Sequence, residues 1–159
     1  MTRVCRAMAR FRPGSIAILR TLHDTDLLLI EQLFQRTISE LARVLPLTAA
    51  PYCVWRRTGE VCWASREFCI ITGWAATTLM EGRTVTELLD DRGVVEYWEA
   101  YSRCVVDSAV SYFRIGTGMF RPDGKTVQGS LWVTVRKDVF DIPFAIVGCF
   151  LPNLWQIQA

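Results

Sequence analysis

The residues best suited to chemistry are six cysteines and a single histidine, and their spacing limits what they can do. The cysteines stand at positions 5, 53, 62, 69, 104 and 149. No two of them form a Cys-x-x-Cys pair, the spacing typical of zinc fingers and zinc ribbons. A chain of 159 residues can bury a core without disulfide bonds. We therefore expect reduced, buried thiols and no metal site.

The other candidates for catalysis are isolated residues. His23 has no cysteine or carboxylate partner at ligand spacing, and we expect it on the surface near a helix start. Lys125 follows a glycine, but the first glycine of a phosphate-binding loop is missing at position 119. Asp90 and Asp91 are adjacent carboxylates whose side chains diverge, at a predicted solvated helix C-terminus. The sequence therefore predicts a protein that is not an enzyme.

Composition and charge exclude further classes of protein. Hydrophobic residues make up 51% of the chain and charged residues 21%, which indicates one folded domain rather than a disordered tail. The net charge of +2 combines +5 in residues 1–23 with −3 in the remainder. A total this close to neutral excludes a chain that works mainly as a basic nucleic-acid clamp. No apolar run approaches the ~20 residues that span a bilayer, so we expect no membrane association.

The N-terminal 46 residues divide into two segments. Residues 1–23 predict a flexible basic arm with a turn at Arg12–Ser15, although an Arg-rich, acid-free start also suits a transit peptide. Pro13-Gly14 would interrupt the helix that a transit peptide needs. Residues 24–46 predict an amphipathic cap helix, because apolar residues recur every three or four positions from 27 to 45. Asp24 or Thr25 would cap this helix, and Pro46 would end it.

Residues 48–155 predict a mixed domain. Two short strands at 52–56 and 61–63 precede several short helical turns and a longer helix at 94–107. Three strands follow, at 111–120, 127–136 and 144–151. The last is apolar on both faces, which is typical of a central strand covered on both sides. We expect an α+β fold, in which a five-stranded antiparallel sheet carries short helices on one face and the cap helix on the other.

This order of elements resembles a PAS domain with an N-terminal cap helix. The resemblance depends on the Ser65–Trp74 run, the Gly82–Leu89 segment and the Pro-Asp-Gly turn at 121–125. Ser65 stands where many PAS domains carry Asn, which weakens a capping hydrogen bond. Longer runs are similar to the PAS region of the fungal zinc-cluster transcription regulators of gluconeogenesis and non-fermentable carbon use: 34–36, 54–61, 67–69, 72–74, 95–99, 135–143 and 146–152.

The resemblance implies a regulatory, protein-interaction or sensing module of a nuclear transcription regulator, with the cytoplasm as the alternative location. Members of the family bind DNA through a zinc cluster built from two Cys-x-x-Cys-x6-Cys halves, and the cysteines here lack that spacing. The DNA-binding part is therefore expected outside this chain. Alternatively, the chain is a PAS-only dimerisation partner without DNA binding. The basic arm would then add only weak, salt-dependent contact with nucleic acid.

A PAS-like fold also offers space for a ligand between its sheet and its helices, so a small-molecule or cofactor sensor is the alternative function. The candidate lining residues are Phe68, Trp98, Leu131, Val133 and Ile146. The same side chains could simply fill the core, since no polar cluster accompanies them. The flavin-binding cysteine run and the haem-binding histidine of other PAS domains have no counterpart here. We expect no cofactor and leave the pocket ligand open.

Association is the other expected property. The candidate residues for an association surface are Leu27, Phe34, Leu41, Trp55 and Trp132, on the cap helix and the outer sheet face. They predict a homodimer or heterodimer formed through these two elements. Alternatively, the cap helix of the same chain covers the sheet aromatics.

Overall fold

The computed structural model describes residues 2–153. Six α-helices and five strands follow one another in the order that the sequence predicts, with one extra helix at the start and a short 3-10 helix (Leu45–Thr48) after the second. The helices are α1 (Thr2–Thr21), α2 (Asp24–Val44), α3 (Arg66–Thr72), α4 (Ala76–Met80), α5 (Val85–Leu88) and α6 (Asp91–Val106). The strands are β1 (Tyr52–Arg56), β2 (Val61–Ala64), β3 (Tyr112–Phe120), β4 (Thr126–Lys137) and β5 (Pro143–Pro152). The domain boundaries assigned above stay a prediction.

The sheet is antiparallel, in the order β2-β1-β5-β4-β3, so the last strand of the chain lies at its centre. Val147 pairs with Val54 on one side and with Thr134 on the other. This confirms the central strand predicted from its two apolar faces. The inner face of the sheet packs against α3–α6 and forms the main core. The predicted α+β architecture is confirmed.

Residues 2–21 form a helix, so the predicted irregular arm with a turn at Arg12–Ser15 is wrong. Contacts between α1 and α6 explain the difference. The Arg3 guanidinium donates two hydrogen bonds of 2.8 Å to the Glu99 carboxylate. The Phe11 ring stacks on Trp98 at 6.4 Å. Pro13 lies inside α1 and removes one helical hydrogen bond, and packing against α6 outweighs that local preference.

His23 is the N-cap residue that precedes α2, in place of the predicted Asp24 or Thr25. The His23 backbone N–H donates a 3.0 Å hydrogen bond to Asp26, and His23 is exposed, as expected. The helix buries Phe34, Thr37 and Leu41 and packs on β5. It thereby covers part of the outer sheet face, opposite α3–α6. Within residues 2–153, no helix is both long and apolar enough to cross a bilayer.

Candidate functional site

The interior between sheet and helices is occupied by side chains. Of the predicted pocket residues, Phe68, Leu131, Val133 and Ile146 are each at most 1% exposed and belong to the main core. Trp98 lies apart from them, half-buried on α6 against Phe11. The structure therefore brings four of the five residues together in a packed core and places the fifth beneath α1.

Trp55 fills the centre of this interior. Its indole Nε1 donates a 2.9 Å hydrogen bond to the Tyr97 hydroxyl, and both side chains are buried. Gly148 on β5 lies against the indole, so any side chain at position 148 would collide with it. The prediction that Trp55 contributes to an association surface is therefore wrong. Three consecutive residues of β1 are buried. The strand therefore shows no alternation of apolar and polar residues, and the sequence could not indicate on which face of the sheet Trp55 lies.

Aromatic rings extend this interior outward. Tyr97 stacks on Tyr101 at 5.8 Å and meets Phe113 edge to face at the same distance. Tyr101 in turn meets Phe11 of α1 at 5.5 Å. Burial raises the pKa of Tyr97 and of Tyr101, so both hydroxyls stay protonated at neutral pH. A continuous aromatic path therefore connects the Trp55 interior to the N-terminal helix.

The predicted association residues of α2 separate into two groups. Phe34 and Leu41 face the sheet and are buried, so their assignment to an exposed surface is wrong. The guanidinium of Arg56 covers the Phe34 ring at 3.9 Å, which explains why this ring is closed off within one chain. Leu27 and, on β4, Trp132 are exposed, as an association surface requires. The outer sheet face is thus covered at β1 and β5 and open at β4.

Three leucines that widen the apolar stripe of the cap helix in the sequence lie on the exposed face of α2. Leu28 is 60% exposed, Leu29 61% and Leu33 39%. Their signal in the sequence is the width of the apolar stripe, which exceeds what one buried face needs. Val139 and Phe140, in the β4–β5 loop, lie next to Leu29 and Leu33 and are also exposed. Together these five residues form one apolar patch, called here the α2 patch.

An ion pair connects α2 to the C-terminal end of β1. Arg56 donates two hydrogen bonds of 2.8 Å to the Glu31 carboxylate. These bonds, with a further one from Gln35, lower the pKa of Glu31 to about 2. The pair is partly exposed, so its role is to orient α2 more than to stabilise it.

Asp90 is the N-cap of α6 and not a solvated helix C-terminus, which corrects the prediction for the Asp90–Asp91 pair. Its carboxylate accepts hydrogen bonds from the Gly93 N–H at 2.7 Å and the Gly118 N–H at 2.9 Å. The Thr117 hydroxyl donates a third at 3.2 Å. Asp90 therefore ties α6 to β3, while Asp91 is exposed.

The six cysteines, all within the described residues, are free thiols. Burial raises the pKa of Cys53, Cys62, Cys69, Cys104 and Cys149, which keeps these thiols protonated and weakly reactive. Among residues 2–153, no group of three or more histidine, cysteine or acidic side chains is placed to hold a metal ion.

The architecture defines a PAS domain. It is similar to the PAS domain of an HTR-like protein from Haloarcula marismortui, with a TM-score of 0.54 over 77% of this chain and 97% of that one, at 16% identity. A likeness at this identity shows the fold alone.

Sequence comparison identifies the particular family. Residues 50–128, from the start of the sheet into β4, match the ERT1/acuK family PAS domain. A transcription activator of gluconeogenesis ERT1 from Mycosarcoma maydis is 36% identical over 96% of this chain. Its counterpart from Meyerozyma guilliermondii is 37% identical over 96%. The chain spans 21% and 33% of these two relatives. The resemblance to fungal gluconeogenesis regulators is thus confirmed.

Proposed function

We propose that this chain is the PAS regulatory module of a fungal transcription activator of gluconeogenesis. One observation carries the proposal: two activators of that name are 36% and 37% identical to 96% of the chain. A match of that extent includes the N-terminal helices as well as the PAS domain. The module would work in the nucleus, with the DNA-binding zinc cluster supplied outside this chain.

The module acts by association and not by catalysis. Tyr97, Tyr101, Cys53 and Cys104 are titratable groups of the interior; burial raises the pKa of each, so all four stay neutral and none serves as a base near neutral pH. Asp90 accepts three hydrogen bonds within the fold. These arrangements suit a structural core, and the relatives are named as transcription activators.

The α2 patch is the surface proposed for association, and a second copy of the chain is the proposed partner. Exposed leucines on a helix that already packs on a sheet are typical of a contact between subunits. Charge supports pairing of two α2 helices in antiparallel orientation. The first turn carries Asp24 and Asp26, and the last turn carries Arg43. Antiparallel pairing would place each acidic end beside the partner's basic end.

A domain exchange tests the proposed function. The region of the Meyerozyma guilliermondii activator that matches this chain would be replaced by this chain, and transcription of gluconeogenic genes would be measured after transfer to a non-fermentable carbon source. We expect induction close to that of the unaltered activator, and none from an activator with the region deleted. A hybrid that accumulates in the nucleus at normal levels but fails to induce would contradict the proposal.

The alternative of a cofactor in the PAS interior has less support, because Trp55 occupies that space. An absorption spectrum of the protein purified from a fungal host tests it. A visible band that copurifies with the folded chain would favour a haem or flavin sensor over the association module.

A further inference from the structure

A cleft outside the PAS interior lies between α1 and the rest of the fold. It has a volume of about 440 Å³ and is bounded by α1, α6, the β1–β2 turn and the start of β5. Phe11 from α1 and Trp98, Tyr101 and Val105 from α6 supply apolar walls. Both its size and its mostly apolar lining are those of a small-molecule site.

The charged groups of the cleft are of one sign. Arg12 of α1 and Arg57 of the β1–β2 turn line it, and no carboxylate does. Among the ion pairs of residues 2–153, none involves either arginine. Both side chains belong to exposed residues. A guanidinium binds a carboxylate through two parallel hydrogen bonds, so the two arginines favour an anionic group at this edge of the cleft.

Tyr101 adds a second, independent indication. It is only 2% exposed and lines the cleft. Within the described part of the chain, the Tyr101 hydroxyl forms no side-chain hydrogen bond, whereas the hydroxyl of its neighbour Tyr97 accepts one from Trp55. Burial raises its pKa, while the positive charge of Arg57 acts in the opposite direction, so the hydroxyl remains a donor close to Arg57. Because Tyr101 lines the cleft and its hydroxyl stays protonated, it can donate a hydrogen bond to an anionic group bound beside Arg57.

We propose that this cleft binds an amphipathic monocarboxylate, with its carboxylate at Arg57 and its apolar body against Phe11 and Trp98. This site is distinct from the PAS interior and goes beyond the proposed function. Because α1 forms one wall, such a ligand contacts both α1 and α6. Binding would therefore add to the Arg3–Glu99 and Phe11–Trp98 contacts that already hold α1 on α6, and would shift α1 further toward the docked position.

Calorimetric titration of the whole chain with decanoate, kept below the concentration at which it forms micelles, tests the proposal. We expect saturable binding at one site. Arg57→Ala should weaken it at least tenfold, because a charge-assisted pair is lost. Decanol has the same apolar chain without the charge, and its affinity should be the same in the two proteins. Arg103→Ala is the matched control, since Arg103 is exposed on α6 and does not line the cleft.

A second variant tests the tyrosine. Tyr101→Phe keeps the ring packing and removes only the hydroxyl, so it should weaken decanoate binding about threefold or more and leave decanol binding unchanged. Circular dichroism would show that each variant is folded. Absence of saturable decanoate binding to the native chain would overturn the proposal. Equal losses in Arg57→Ala and Arg103→Ala, or no loss in Arg57→Ala, would overturn the assignment of the carboxylate.

Discussion

The indole of Trp55 and the hydroxyl of Tyr97 are joined by a 2.9 Å hydrogen bond in the interior, between the sheet and α6. The bond links β1 to the longest helix of the PAS domain, and both residues are at most 2% exposed. It therefore combines two roles in one contact. The ring pair fills the space in which a PAS ligand would lie, and the hydrogen bond satisfies two buried polar groups.

Trp55→Ala should destabilise the fold by about 3–5 kcal/mol, because it leaves a cavity and deprives the Tyr97 hydroxyl of its partner. Urea unfolding followed by circular dichroism measures the loss. Trp132→Ala is the matched control: Trp132 is 46% exposed on β4 and contacts Arg114, so its loss should cost about 1 kcal/mol or less. Similar costs for the two variants would contradict the central position of Trp55.

Asp90→Ala should cost about 2 kcal/mol or more, because it removes the α6 N-cap and the acceptor for the Gly118 N–H on β3. The neighbouring Asp91→Ala changes the same charge on an exposed side chain and should cost less than about 1 kcal/mol. Chemical denaturation of both variants distinguishes a structural carboxylate from a solvated pair, for which the two losses would be equal.

The pH dependence of stability should include a contribution from Glu31. Its pKa falls from 4.5 to about 2 on folding, so the stabilisation by its pair with Arg56 is complete above about pH 4.5 and is lost as the pH falls toward 2. Both partners are partly exposed, so the contribution should be about 1 kcal/mol or less.

Glu31→Gln should therefore be less stable than the native chain near neutral pH, and the difference should shrink as the pH falls through this window. Urea unfolding at a series of pH values measures it. Gln32→Ala, an exposed change on the same helix, serves as the control. A difference between Glu31→Gln and the native chain that stays constant across the window would contradict the assignment.

Substitution of an exposed leucine in the α2 patch should prevent association without unfolding the chain, whereas substitution of a buried residue of the same helix should unfold it. Leu29→Glu places a charge in the patch, so it should convert a dimer to a monomer in light scattering while the circular dichroism spectrum is retained. Phe34 lies on the buried face of the same helix, so Phe34→Glu would bury a charge and should unfold the chain. A mass that does not change in folded Leu29→Glu would exclude this surface.

The parts of the fold that follow one periodicity could be predicted from the sequence. Helix α2 shows apolar residues every three or four positions, and β5 is apolar on both faces, so its central place follows. Helix α1 could not be predicted this way, because Pro13-Gly14 has a strong local preference against a helix. The contacts that override this preference, Arg3 with Glu99 and Phe11 with Trp98, join residues far apart in the sequence.

The site was harder to predict than the fold. The pattern showed that β1 is buried but not which face Trp55 occupies, because both faces are covered. The sequence pattern placed Asp90 at the end of one helix, whereas it is the N-cap of the next. The error arose because α6 begins three residues before the predicted start at Val94. The cleft beneath α1 depends on a helix that the sequence did not indicate, so its lining residues could not be grouped in advance.

The central position of β5 has a consequence for the order in which the chain can fold during its synthesis. Helix α2 leaves the ribosome before every strand of the sheet, yet the strand on which it packs is the last of the sheet to be made. Until β5 emerges, α2 lacks the main strand on which it packs, and the sheet consists of two unconnected hairpins, β1–β2 and β3–β4. The nascent chain therefore carries an exposed apolar helix until β5 is made, and it joins the two halves of its sheet in one step.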